Sequence, residues 1–257
     1  MNLNAWIAVI SEWMGVIAIA WLMSISPRFK LPVIGFLYAR RDGLVALGMS
    51  VLLLISSFGY YSYNPPAQGI AMPGKALLFA IAPAPVTDMV QALIMAGVGL
   101  LPIGVAMLIR RQPVRSMGWH QVIMVPALLV GLALAIITIF LRNRFWVLLE
   151  GVSAPQFFIL LTALGIALAE ETVFRGYILP RLAWWLGEWP GMLTTSLLYT
   201  LWHLPAWLNQ QALETILLLC VLTFGQGMVL SWIMRKSHHI LAPAIYRAVE
   251  IWVRVLG

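Results

Sequence analysis

The amino-acid sequence predicts an all-α, polytopic membrane protein with about eight transmembrane helices. Of its 257 residues, 62% are hydrophobic and only 10% are charged, whereas soluble domains average about 25% charged residues. This composition and the mean hydropathy of +0.92 exclude an ordinary water-soluble globule and a disordered chain. Since a span and its connection take roughly 30 residues, the chain has room for about eight helices.

The apolar segments are long enough to cross about 30 Å of hydrocarbon. Composition does not shift along the chain and no internal repeat is evident, so we expect a single membrane domain over residues 1–257. The predicted spans run approximately over residues 5–25, 43–61, 86–109, 122–141, 156–179, 190–207, 213–234 and 240–256.

The basic residues predict the orientation of these spans. Eleven of the sixteen Lys and Arg residues follow odd-numbered spans, and five fall on the opposite side. By the positive-inside rule, the odd-numbered connections are cytoplasmic and both termini lie outside. The charges are scattered between apolar runs rather than gathered in a stripe, so we expect membrane lipids and no nucleic acid as partners.

Two adjacent acids, Glu170 and Glu171, lie at the predicted cytoplasmic end of the fifth span. A charged group at the bilayer centre costs about 2.5–3.5 kcal/mol, so such residues require an explanation. Glu171 and Arg175 are four residues apart on a helix and can form an ion pair, whereas Glu170 points about 100° away. Glu170 is therefore available for another role.

The sixth span places Tyr199 and His203 on one helix face. A short connection around residues 187–190 should make the fifth and sixth spans antiparallel neighbours, so that a Glu on one can meet the His on the other. A carboxylate beside an imidazole in a dry cavity can accept a proton from water and orient it. This arrangement favours a hydrolytic site.

Structural interpretations of the same residues compete with this one. The two acids and Arg175 could form an ion pair near the lipid headgroups, and His203 could bridge two helices through a hydrogen bond. Glu12 and Asp88 have no obvious cationic or histidine partner in their own spans. A transporter would use acids spread over several helices around a midplane site, whereas the adjacent acids cluster at one helix end.

Several short motifs resemble the CPBP family of intramembrane proteases, which includes CAAX-type prenyl endopeptidases and proteins linked to bacteriocin processing and self-immunity. The motifs are EE-x-x-x-R at 170–175, R-G-Y and P-R-L after it, and W-H-L-P at 202–205. The similarity covers 155–257 as the core. It implies a protease of a prokaryotic plasma membrane that hydrolyses a peptide bond near the cytoplasmic face of a protein or peptide substrate, including a lipidated or membrane-anchored one.

The resemblance also implies roles for individual residues. Glu170 becomes the general base on a water held with His203, and Glu171 and Arg175 become a supporting pair. We expect a glutamate-dependent enzyme without a metal cofactor. Two Glu and one His offer few ligands for a metal ion, and the HExxH pattern of zinc proteases is absent. A divalent metal such as zinc remains the alternative.

The last helix departs from the family pattern. Family members carry His-x-x-x-Asn there, and the corresponding positions fall on Arg247 or Ala248 and on Ile251 or Trp252. The loss of both side chains motivates an alternative function, in which the chain is a catalytically impaired relative that acts as a membrane scaffold or immunity factor.

Arg247 and Tyr199 are the candidates for binding the oxyanion or the substrate in place of the missing His and Asn. Tyr246 is a further hydrogen-bond donor on the last helix. Arg247 could equally pair with Glu250 or extend to the membrane interface.

Overall fold

The computed structural model describes residues 3–26, 35–63, 84–208 and 211–255. Within these ranges the chain is helical and contains no strand, so the predicted all-α class is confirmed. The side chain of Asp88 falls outside what the structure describes.

Most of the described α-helices are long, and two short ones, of six and eight residues, lie between them. A π-helical segment, Thr172–Ile178, and 3₁₀ turns at Val114–Met117 and Gln121–Ile123 complete the described elements. The α-helices are α1 (Leu3–Ser24), α2 (Ala39–Tyr63), α3 (Ala84–Ile109), α4 (Met124–Leu141), α5 (Phe145–Glu150), α6 (Ala154–Glu171), α7 (Leu179–Leu186), α8 (Glu188–Leu208), α9 (Leu213–Ser237) and α10 (Leu241–Val255).

Six helical segments in the described part of the chain are long and apolar enough to cross a membrane: Trp6–Ser24, Ala39–Ser62, Ala92–Ile109, Gln121–Leu141, Ala154–Leu186 and Leu213–Ser237. They indicate an integral, polytopic membrane protein. The two other predicted spans are also helical, as α8 and α10. However, α10 has only 15 residues, fewer than the roughly 20 that a span needs. The number of eight spans therefore stays a prediction.

The fifth predicted span is longer than we expected. Instead of ending near residue 179, it runs as one apolar segment over Ala154–Leu186, because the π-helical segment joins α6 to α7 without breaking the helix. Glu170 lies at the middle, with sixteen residues before it (170 − 154) and sixteen after it (186 − 170). Glu171 is the last residue of α6, and the π-helical segment and α7 continue the helix beyond it. That the two acids lie at the cytoplasmic end of the span stays a prediction.

The helices that carry the polar residues pack closely against one another. α6 contacts α3 and α10, and α8 packs along α9. At the contact between α8 and α9, a Cβ added to Gly227 would lie 3.0 Å from the Cβ of Ser196. Small residues allow two helices to approach in this way. The close approach brings the face of α8 that carries Tyr199 towards the π-helical segment.

Gly176 fixes the position of the π-helical segment against the connection that follows α3. An alanine Cβ at this position would lie 2.5 Å from the backbone oxygen of Met117 and 2.6 Å from Ile240 Cδ1. The backbone oxygen cannot move aside, so we expect Gly176→Ala to cost about 1–3 kcal/mol through overpacking. The measurement is the thermal unfolding midpoint of the purified protein in detergent.

A matched control for this variant is Gly48→Ala in α2, where nothing lies within 4 Å of the added Cβ. Replacing a glycine within a helix by alanine gains roughly 0.5–1 kcal/mol when space is available. The two variants should therefore shift the midpoint in opposite directions. Equal shifts would show that Gly176 has no special packing role.

Candidate active site

Glu171 and Arg175 form the ion pair that their spacing predicts. Glu171 ends α6, and Arg175 lies in the π-helical segment. Arg175 Nη1 donates to Glu171 Oε1 at 3.2 Å, and both side chains have no solvent exposure. A buried pair of this kind is satisfied only when further hydrogen bonds compensate the loss of water.

Arg175 also connects the long helical segment to two other helices. Its Nη2 donates to the backbone oxygen of Gly227 in α9 at 3.2 Å. The guanidinium carbon lies 4.1 Å from the centre of the Tyr199 ring in α8, within the range of a cation–π contact. Arg175 therefore holds together the helices that carry the candidate site.

Glu170 faces α8. Its Oε2 accepts a hydrogen bond from the Tyr199 hydroxyl at 3.3 Å. The same oxygen lies 3.7 Å from His203 Nε2, and the side chain of Glu170 is only 6% exposed. The predicted approach of a Glu on the fifth span to the His on the sixth is confirmed.

His203 lies between two aromatic rings of its own helix. The edge of its ring meets Tyr199 at a centroid distance of 4.7 Å, and Trp207 stacks on it at 6.1 Å. Its Nε2 is buried and has no hydrogen-bond partner among the described residues. The imidazole is therefore held by packing, while the nitrogen nearest Glu170 keeps its hydrogen-bonding capacity.

Arg247 lies near these residues but is bound to a second polar group. Its Nη1 donates to Gln226 Oε1 and to Glu250 Oε2, both at 2.8 Å. Its guanidinium carbon is 6.0 Å from the centre of the Tyr199 ring. Of the alternatives left open by the sequence, the pairing with Glu250 is the one that forms.

Sequence reasoning missed two further members of this polar group, Gln226 and Arg254. Gln226 also donates to Glu250 Oε2 at 2.9 Å, and Arg254 pairs with the other oxygen of Glu250. Two signals were available in the sequence. One is the single glutamine in the run LTFGQGMVLSW, and the other is the spacing that places Arg247 three residues before Glu250 and Arg254 four residues after it. Polar residues within apolar helices usually face other polar groups.

Glu12, which has no partner in its own span, finds partners on two distant helices. Arg142 Nε donates to its Oε2 at 2.5 Å, and the Tyr246 hydroxyl donates to its Oε1 at 3.0 Å. Tyr246, expected as a donor near the site, is thus engaged with Glu12. These contacts explain how α1 tolerates a fully buried carboxylate.

The described residues do not form a metal site. No group of three or more His, Cys, Asp or Glu side chains is placed to hold a metal ion in this part of the chain. Glu171 faces Arg175, so Glu170 and His203 are left as two donors, whereas a catalytic zinc site uses three protein ligands. The arrangement does not fit a metal ion of that kind.

Comparison with protein families agrees with the sequence motifs. Residues 152–250, which are 99 of the 257 residues, match the family described as Type II CAAX prenyl endopeptidase Rce1-like. The predicted family resemblance is confirmed. The matched range contains Glu170, Arg175, Tyr199, His203 and Arg247. No curated protein and no solved structure matches the chain.

Proposed function

We propose that this protein is an intramembrane endopeptidase of the CAAX type, in which Glu170 acts as the general base. The observation that carries the proposal is the 3.7 Å distance between Glu170 Oε2 and His203 Nε2. One water within about 2.8 Å of each atom fits this separation. The match to the CAAX endopeptidase family supports the same reaction class.

In the proposed reaction, Glu170 takes a proton from the water, and the water oxygen attacks the carbonyl carbon of the substrate. The resulting tetrahedral intermediate then collapses, the C–N bond breaks, and the proton on Glu170 passes to the leaving amine. His203 orients the water through Nε2. Glu171 and Arg175 support the site by holding the π-helical segment against α8 and α9.

The negative charge on the substrate oxygen requires a donor. Tyr199 and Arg247 are the candidates, because the Tyr199 hydroxyl already lies at Glu170 and Arg247 is the nearest cation on α10. The Nε of Arg247 is buried and unpaired among the described residues, so it retains one donor. The hydrogen bonds from Nη1 to Gln226 and Glu250 hold the guanidinium in place and leave Nε unpaired.

We propose a substrate in the membrane, a protein or peptide cleaved near the cytoplasmic face. The cavity next to Arg175 is lined in part by the predicted cytoplasmic connections after α1, α3 and α9, which contribute Phe36, Arg115 and His238 among others. This supports access from that side. The orientation with both termini outside and a prokaryotic plasma membrane belong to the same proposal.

The test compares the membrane and secreted peptides of cells that carry the wild type or His203→Ala. Because His203 orients the water, cleavage products present with the wild type should fall at least about 100-fold with the variant. A matched control is His239→Ala, which removes another buried imidazole whose Nδ1 only accepts from the Leu241 amide. Product amounts are normalised to folded protein.

A second function, a non-catalytic scaffold or immunity factor, is favoured by one observation. Arg247, which replaces the expected histidine of the last helix, is bound to Gln226 and Glu250. Under this alternative, the wild type, His203→Ala and His239→Ala give the same peptides and the cells keep their phenotype. That result would overturn the proposed protease.

A further inference from the structure

A second candidate site lies outside the Glu170–His203 pair, at the ends of the helices. It is a cavity of about 320 Å³ between the π-helical segment, α7, the end of α9 and the connection that follows α3. Its volume is at the small end of the range of roughly 300–1,000 Å³ for ligand pockets. The charged residues and histidines that line it are Arg115, Arg175, Arg235, His120, His238 and Glu188.

The lining of this cavity carries an excess of positive charge. Three guanidinium groups face one carboxylate, Glu188, which is bound to Arg235 at 2.5 Å. Arg115 is exposed and has no ion pair among the described residues. Arg175 is paired with Glu171, so Arg115 is the one of the three guanidinium groups left without a carboxylate partner among the described residues, which favours an anionic ligand.

The two histidines of the cavity report the same positive environment. Burial lowers the pKa of His120, and the neighbouring Arg115 lowers it further. Burial also lowers the pKa of His238, with Arg235, His120 and Lys236 acting in the same direction. Both imidazoles are therefore neutral at pH 7, and each retains an N–H that can donate to an anion.

The position of the cavity indicates where the anion comes from. His120 directly precedes the apolar segment Gln121–Leu141, and His238 directly follows Leu213–Ser237, so the cavity lies at the level of the lipid headgroups. Trp184 at its edge is 46% exposed, as is usual for tryptophan at a membrane interface. Basic pockets between membrane helices on the cytoplasmic side bind anionic headgroups.

We infer that this cavity binds the phosphate group of an anionic phospholipid headgroup. Arg115 contacts the phosphate from the connection after α3, and the two imidazoles donate from the cavity wall. Because the ligand would lie against Arg175, it would also fix one end of the segment that carries Glu170. The inference does not depend on the proposed proteolysis.

The experiment measures lipid binding to the purified full chain in detergent by native mass spectrometry. The probes are phosphatidylglycerol, zwitterionic phosphatidylcholine and inorganic phosphate. The variant is Arg115→Glu, and the control is Arg111→Glu, an exposed residue of the same connection that does not line the cavity. Arg115→Gln removes the charge without reversing it, and gel filtration and the thermal midpoint show that each variant is folded.

Both lipids carry the phosphate, but phosphatidylcholine adds a choline cation that the positive charge of Arg115 repels. We therefore expect the wild type to bind phosphatidylglycerol at least about tenfold tighter than phosphatidylcholine, a difference of about 1.4 kcal/mol. Arg115→Glu should lose about tenfold or more of that affinity, Arg115→Gln should lose less, and Arg111→Glu should be unchanged. Equal binding of the two lipids, or equal losses in the two glutamate variants, would overturn the site. If millimolar inorganic phosphate displaced phosphatidylglycerol, the site would be one for free phosphate, and the inference of a lipid headgroup would be wrong.

Discussion

Replacing Glu170 by glutamine should reduce peptide cleavage about 10²- to 10⁴-fold, the usual contribution of a general base. Glutamine has nearly the same shape and can still accept the hydrogen bond from the Tyr199 hydroxyl, which lies 3.3 Å from Glu170 Oε2. It cannot take the proton of a water. The measurement is the cleavage rate, per amount of folded protein, of a substrate found by comparing peptides from wild-type and variant cells.

The control for this prediction is Glu214→Gln, the same substitution at an exposed position in the first turn of α9. It should leave the rate unchanged. Since Glu170 is only 6% exposed and its neutralisation removes a buried charge, Glu170→Gln should keep or raise the thermal midpoint. Undiminished cleavage by folded Glu170→Gln protein would exclude Glu170 as the base, whatever the roles of His203 and Arg175.

The sequence was sufficient for those parts of the site that depend on local spacing. Glu171 and Arg175 are four residues apart, and the helix continues between them, so their ion pair forms as the spacing predicts. The approach of Glu170 to His203 also followed from the sequence, because a short connection between two apolar segments leaves few ways to arrange them. The fold class depended only on composition.

Other parts could not be predicted because they depend on contacts between distant segments. Glu12 meets Arg142, which is 130 residues away in the chain, and Tyr246, which is 234 residues away. Nothing in the local pattern of α1 indicates either partner. The sequence left Arg247 to pair with Glu250, to reach the lipid headgroups or to bind an oxyanion. Its contacts with Glu250 and Gln226 depend on the packing of α10 beside α9.

The fifth span was predicted too short for a local reason. Arg175 and Arg181 indicated that it ends near residue 179, since charged groups are costly in hydrocarbon. Instead, Arg175 is neutralised by Glu171 and the segment continues through a π-helix, a conformation often found at functional sites. All seven residues of this segment are buried. A charge that is paired within the protein does not end a span.

The same pairing predicts a large loss of stability when one partner is removed. In Arg175→Met, the Glu171 carboxylate stays fully buried and loses its cation, which should cost about 3–5 kcal/mol of the free energy of unfolding. One oxygen of Glu171 already has no hydrogen-bond partner among the described residues, so nothing nearby compensates. The measurement is the thermal midpoint and unfolding free energy in detergent.

Arg254→Met is the matched control, because Arg254 also pairs with a Glu four residues before it. Its side chain is 57% exposed, and Glu250 keeps Arg247 as a partner, so the loss should stay below about 1 kcal/mol. The double variant Glu171→Gln with Arg175→Met should be more stable than Arg175→Met alone, since it leaves no unpaired charge. If Arg175→Met were no more harmful than Arg254→Met, the buried pair would not be what holds the helices of the site together.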